Sequence, residues 1–221
     1  MTRKQWNGSA LLMSERVSFK IALPVFILLL CFLLNDNLFA KGGNKEMGIV
    51  LVAVGKIDRN IMDRLKNDLS RIFNKPVSIG KGMPDPDYAH NKKRNQYLST
   101  AILSAIMEQK EHTPYEKILG MVDHDLFVPE LNFVFGEASR KAAVISLARL
   151  RQAFYHLPED QTVFQRRVLT EAVHELGHTF GLGHCQNPRC VMFFSNSLSD
   201  TDGKGPEFCP RCRKNLQSNI P

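Results

Sequence analysis

The run HELGHTFGLGHC, residues 174 to 185, places three histidines and a glutamate within eleven positions and sets a cysteine directly after the last histidine. On a helix, His174 and His178 stand four residues apart on one face, so both imidazoles reach one ion. Glu175 points about 100° round from His174 at 3.6 residues per turn, which puts it beside the ion as a base. Gly181 can take the left-handed conformation that ends a helix, turning the chain so that His184 arrives as a third ligand, and Gly183 allows the backbone a close return. Three imidazoles leave a tetrahedral Zn²⁺ one open position, the arrangement of catalytic zinc. Water held there falls in pKa from about 15.7 to near 7. Glu175 would take its proton during attack on a peptide carbonyl and later pass one to the leaving amine. The complete H-E-x-x-H-x-x-G-x-x-H pattern is far more specific than its first five residues alone.

The cysteines form a second constellation. Cys185 and Cys190 make one close pair and Cys209-Pro-Arg-Cys212 another. Two close pairs separated by a longer loop match a structural zinc held by four thiolates with no open position. Two disulfides are the alternative if the chain is exported. Because Cys185 follows His184 directly, a closed zinc site would clamp the third ligand of the open one and staple the tail beneath the cleft.

The elements that must position these residues lie upstream. Ile49–Val54 (IVLVAV) is a continuous apolar run, as in a strand buried on both faces. Asp58 can cap a following helix whose Ile61, Leu65, Leu69 and Ile72 recur at helical spacing. A short strand is expected at 76–79, a Gly/Pro-rich loop at 80–94 and a second helix at 95–110 with Tyr97, Leu98, Ala101, Ile102, Ala105 and Ile106 inward. Further strands are expected at 117–122, 132–135 and 142–147. From Asp160 a third helix runs into the opening motif, burying Phe164, Val168, Ala172, Leu176 and Phe180. The order predicts an α+β fold: a mixed, largely parallel sheet with three main helices, followed by a small C-terminal four-cysteine zinc subdomain at about 182–215.

The chain has 221 residues with 29 Lys plus Arg against 22 Asp plus Glu, and its +7 formal charge is spread rather than gathered in a block. Lys92-Lys93-Arg94 is the one tight basic run, too short for specific nucleic-acid binding. The first forty residues differ. Arg3, Lys4, Arg16 and Lys20 precede the apolar run 21–34, which at fourteen residues is shorter than the roughly 20 needed to span a bilayer. Followed by Asn35-Asp36-Asn37 and Leu38-Phe39-Ala40, it reads as a signal peptide for export, with an uncleaved membrane anchor as the alternative. Cys31 lies inside this segment, leaving four cysteines for residues 41–221, the expected metallopeptidase domain.

Weaker candidates have plainer readings beside them. Residues 132–136 (NFVFG) could be an edge strand that pairs with an extended peptide, or an ordinary half-buried strand. Arg94 and Tyr97 read as packing at a helix start rather than as organisers of a loop near the cleft. His124, between Asp123 and Asp125, reads as a solvated loop residue, since three adjacent side chains on a regular element cannot all face one ion. His90, His112 and His156 read as surface residues.

The segment from His174 to Cys212 resembles the archaemetzincins, a family of metzincin-like zinc metallopeptidases. The resemblance rests on H174-E-L-G-H178-T-F-G181-L-G-H184-C185, C190-V-M192 and C209-P-R-C212, with RNQYLST (94–100) and PELNFVFGEAS (129–139) similar upstream. It implies a zincin-like fold split by a cleft, with His174, His178 and His184 on a catalytic zinc and Glu175 as general base. It also implies the four cysteines on a second zinc, and Met192 as a methionine turn under the imidazoles. The expectation is an exported, monomeric or weakly associating peptidase acting on peptides or proteins, touching a membrane only if its leader is uncleaved. A competing reading from another class is a zinc-containing module that binds peptides without cutting them. The intact Glu175 and the open ligand position favour catalysis.

Overall fold

The computed structural model describes residues 48–220. The leader expected at 1–40, with its apolar run and Cys31, lies outside the described residues. The strands are β1 (Ile49–Val54), β2 (Val77–Ile79), β3 (His90–Asn91), β4 (Gln96–Leu98), β5 (Lys117–Val122), β6 (Leu126–Phe127), β7 (Gly136–Ala138) and β8 (Ala142–Ser146). The α-helices are α1 (Arg59–Phe73), α2 (Ser99–Glu108), α3 (Gln161–Thr179), α4 (Leu198–Lys204) and α5 (Pro210–Asn219).

Every residue of β1 except Ala53 is buried because helices cover both faces of its sheet. Ile49 and Leu51 join the helix residues Leu65, Leu69, Phe164, Val168 and Leu176 from α1 and α3. Val50 and Val52, pointing the other way, pack with Ile102, Leu103 and Ile106 of α2. Each such side chain contributes on the order of 1.5–3 kcal/mol on burial. The sheet order is β2-β1-β5-β8-β7, and only β7 runs antiparallel. A small second sheet, β3-β4-β6, lies outside it in the ladder.

The main helix α3 is specified at both ends. Asp160 Oδ1 accepts from the amides of Thr162 (2.8 Å) and Val163 (3.0 Å), satisfying two donors that a helix start leaves free. At the other end Gly181 has φ +82°, its amide donates to His178 O (2.9 Å) and that of Leu182 to Gly177 O (3.0 Å). This paired pattern is a Schellman turn, which favours glycine at the left-handed position. Lys117 Nζ donates to Thr179 O (2.7 Å) and Asn219 Nδ2 to Phe180 O (2.9 Å), completing that end.

The mixed α/β fold with a mostly parallel sheet agrees with expectation, and the three long helices are present. Several local expectations need correcting. Two more helices, α4 and α5, occupy the C-terminal region among the described residues. Tyr97 and Leu98 lie on strand β4 rather than in α2, because Gln96 and Tyr97 are drawn into pairing with β3, and Tyr97 and Leu98 with β6. The stretch 80–94 contains β3 and a 3₁₀ turn, Asp87–Ala89, rather than loop alone. The edge strand begins at Gly136, and of the expected 132–135 only Val134 makes a bridge, to Leu126. The C-terminal segment does not stand apart: Leu182, Cys190, Met192, Phe208 and Leu216 belong to the same hydrophobic cluster as Ile49 and Phe164. No helix among the described residues is long and apolar enough to cross a membrane.

Candidate active site

Helix α3 carries His174, Glu175 and His178 at its C-terminal end, and the Schellman turn delivers His184. One ligand-type nitrogen from each of the three histidines lies within 4.8 Å of the others. Nδ1 of His174 is 2.7 Å from Val191 O, and Nδ1 of His178 is 2.8 Å from Leu182 O. A ring whose Nδ1–H donates to a carbonyl presents a bare Nε2, the tautomer a metal requires. Nε2 of His174 and Nε2 of His178 are 3.1 Å apart. Two nitrogens at about 2.05 Å from a tetrahedral zinc stand roughly 3.3 Å from each other, so this donor set fits the ion. Gly183 does not serve a close return, since nothing lies within 4 Å of where its Cβ would be; the turn at Gly181 suffices.

Met192 is fully buried. It reaches α3 at Gly177, where a Cβ would fall 2.5 Å from its sulfur and 3.5 Å from the Phe208 ring. A glycine inside a helix costs roughly 0.5–1 kcal/mol against alanine, and here the close approach accounts for it. The Phe194 ring packs edge-on against His184, centroids 4.9 Å apart, so the exposed third imidazole has an apolar neighbour.

The electrostatics favour neutral imidazoles and a basic carboxyl. Burial, followed by the charge on Lys204 and the other imidazoles, holds His174 well below its usual range. Burial also lowers His178 and His184. Burial, then the carboxylate of Glu171, pushes Glu175 well above the ordinary carboxylate range, with Lys204 opposing. Such tuning brings a carboxyl toward the working range of a general base.

A cavity of about 240 Å³ opens against His174 and Glu175. One wall is the chain from Leu131 to Gly136 and the other is Phe194, Ser195 and Asn196. Arg94 orders the first wall, donating to the carbonyls of Leu131 (2.8 Å) and Asn132 (2.9 Å), while Gln96 Nε2 donates to Asn132 O (2.9 Å). Arg94 therefore organises the cleft, contrary to the packing role expected of it. Tyr97 instead stacks on His124, centroids 4.1 Å apart.

The four cysteines Cys185, Cys190, Cys209 and Cys212 bring their sulfurs within 4.8 Å of one another and are free thiols rather than disulfides. The amide of Asn187 and Arg211 Nη2 point at Cys185 Sγ (3.5 and 3.3 Å), and the amide of Cys209 points at Cys190 Sγ (3.3 Å). Burial raises Cys185, but these donors outweigh it and bring the thiol down to about 7. Burial raises Cys190 and Cys212. A set of four sulfurs with amide donors suits a closed metal site.

The remaining candidates fall elsewhere. Asp123, His124 and Asp125 turn to three separate partners, Arg151 (2.7 Å), Asp85 (2.6 Å) and Arg149 (2.5 Å), so the trio does not converge and His124 is paired rather than merely solvated. His112 is buried, not on the surface, with Nε2 3.1 Å from Lys81 O. His90 is half-buried and His156 exposed. Sequence reasoning missed Glu171 and Lys204, both lining the cleft; Gly136 belongs to the stretch 132–136 already singled out. Glu171 was within reach, since it precedes Glu175 by one turn on α3; Lys204 was not, being thirty residues from His174.

A family model described as peptidase family M54 matches residues 43–218. A protein from Methanocaldococcus jannaschii named archaemetzincin is 43% identical over 173 residues, covering 77% of this chain and 93% of its own. The crystal structure of an archaemetzincin from Methanopyrus kandleri superposes with a TM-score of 0.70 at 41% identity, covering 83% of this chain and 99% of its own. A zinc-dependent peptidase from Methanocorpusculum labreanum superposes with a TM-score of 0.69 at 30% identity, covering 76% and 100%.

Proposed function

This chain belongs to peptidase family M54, the archaemetzincins, and is a zinc metallopeptidase; from that premise we propose how its own residues divide the work. His174, His178 and His184 hold the catalytic zinc, and Cys185, Cys190, Cys209 and Cys212 hold a second, structural one. The catalytic ion supplies a Lewis acid that polarises a carbonyl and acidifies water at neutral pH. Glu175 takes a proton from the attacking water and later passes one to the leaving amine. The wall from Leu131 to Gly136 receives the substrate as an extended chain, leading into β7, the outer strand of the main sheet among the described residues. Met192 floors the triad. The segment 1–40 directs export as a signal peptide or, uncleaved, anchors the chain, which acts as a monomer.

One observation carries this reading: three imidazoles converge on one point, and one of them, His174, lines with Glu175 a cleft large enough for a peptide side chain. The test is a cleavage profile on a complex peptide library, comparing the protein with Glu175→Gln at matched zinc content. Cuts that vanish in the variant support the assignment, and their positions define the preferred side chains. Absence of cuts by both proteins, with metal bound and fold intact, would favour a module that binds peptides without cutting them.

A further inference from the structure

The cavity against His174 and Glu175 changes character with depth. Leu131 and Phe194, on opposite walls, are 46% and 43% exposed and mark its mouth. Phe133 and Phe135 also line it, their rings edge to face with centroids 5.2 Å apart and planes at 74°. At the inner end the lining turns polar, where the side chains of Glu171 and Lys204 are 3% and 0% exposed.

Polar groups at the bottom of an apolar cleft cost free energy unless they are paired. Here the pairing is incomplete. Lys204 Nζ lies 3.3 Å from Glu171 Oε1 and donates to Phe193 O (3.2 Å), and Thr201 Oγ1 donates to the same Oε1 (2.9 Å). Both partners of Glu171 thus use Oε1, which leaves Oε2 as an acceptor for a ligand. On the wall that carries Phe194, Ser195 Oγ is shut off from solvent and makes no hydrogen bond among the described residues. A serine hydroxyl both donates and accepts, and it swings among three staggered positions about a single bond. It can therefore turn to a group that enters the cavity.

These features specify the entering side chain. Its body must be flat and apolar to lie among Phe133, Phe135 and Phe194, whose rings favour a partner set edge-on or offset. Its tip must give a proton to Glu171 Oε2 and take one from Ser195 Oγ. A phenol does both with one oxygen. A phenylalanine ring would displace water from these groups and return no bond. A carboxylate would face Glu171 and Glu175, and an ammonium or guanidinium would face Lys204; burial makes either encounter costly.

We propose that Glu171 and Ser195 read the substrate: the cleft takes a tyrosine side chain from a residue flanking the scissile bond, its hydroxyl bridging Glu171 Oε2 and Ser195 Oγ. This rests on the reading of the cleft as the peptide-cutting site. Lys204 and Thr201 hold Oε1, so Oε2 is the oxygen left for the substrate.

The test is calorimetric titration of the full chain carrying Glu175→Gln, loaded with zinc, with two blocked hexapeptides of alanine and glycine that differ only in a central Tyr or Phe. The tyrosine peptide should bind about tenfold to a hundredfold more tightly, the span of one hydrogen bond to a charged group. Equal affinities would overturn the proposal. Adding Ser195→Ala should bring the ratio of the two affinities down toward one, and a ratio that survives this change would also overturn it. The cleavage profile of the unmodified protein separates the two readings. Cuts with tyrosine enriched at one flanking position support both. Cuts with no such enrichment would overturn this proposal and leave the peptidase assignment standing, whereas no cuts and no binding of either peptide would overturn the two together.

Discussion

The amide of Cys185 donates to the carbonyl of Met192 at 2.8 Å, tying the four-sulfur cluster to the methionine that packs on Gly177 of the histidine-bearing helix. His184 precedes Cys185 in the chain, and Val191, whose carbonyl receives His174 Nδ1, precedes Met192. The two clusters therefore share a backbone.

Replacing both Cys209 and Cys212 by Ser should release that clamp. Zinc affinity at the histidine site, measured by chelator competition, is expected to fall by roughly tenfold or more, in line with the 10–100-fold cost of losing an outer support of a metal ligand. Unchanged affinity would separate the two sites.

Gly136 faces Glu175 so closely that a Cβ would fall 2.6 Å from its Cγ and 2.8 Å from its Oε1. If Glu175 is the general base proposed above, Gly136→Ala should displace its carboxylate and lower kcat by about 10²-fold, a typical effect of misplacing a catalytic group by about 1 Å. Thermal unfolding should change much less than activity, because the glycine lies at a sheet edge. Steady-state kinetics beside a melting curve checks both.

The histidines set a pH limit. All three have folded-state pKa values below the usual one, so the neutral ring is favoured by folding. The resulting stability is present above about 6.5, the unfolded value, and is lost as pH falls through the lower folded values. Protons also compete with metal. Zinc should therefore be retained to a pH below about 6.5 and leave as acid is added further, followed by metal counting after dialysis at stepped pH.

Asp160 caps the helix that carries the triad. Asp160→Ala should cost about 1 kcal/mol of stability, the usual value for a lost cap, with little change in zinc affinity because the cap lies four turns from His174. Chemical denaturation with a parallel zinc titration distinguishes this from a direct effect on the site.

The sequence by itself determined the elements whose signals are local. The unbroken apolar run of β1 reads as a doubly covered strand, the Asp58 and Asp160 caps mark two helix starts, and the spacing from His174 to His184 implies one helix face and one glycine turn. The cysteine pairs were legible for the same reason, because metal ligands in close pairs are neighbours in the chain. Tertiary structure decided what depends on distant partners. Tyr97 and Leu98 became a strand because β6 was there to pair with them, and Arg94 took the cleft wall because the carbonyls of Leu131 and Asn132 lay within its reach. Gly136 and Gly177 owe their places to Glu175 and Met192, which approach from other elements. Lys204 has no motif around it; it matters because α4 folds back on α3 and buries its ammonium against Glu171 and His174. Periodicity and ligand spacing record the forces within a segment, whereas burial of a charge is set only when two segments meet.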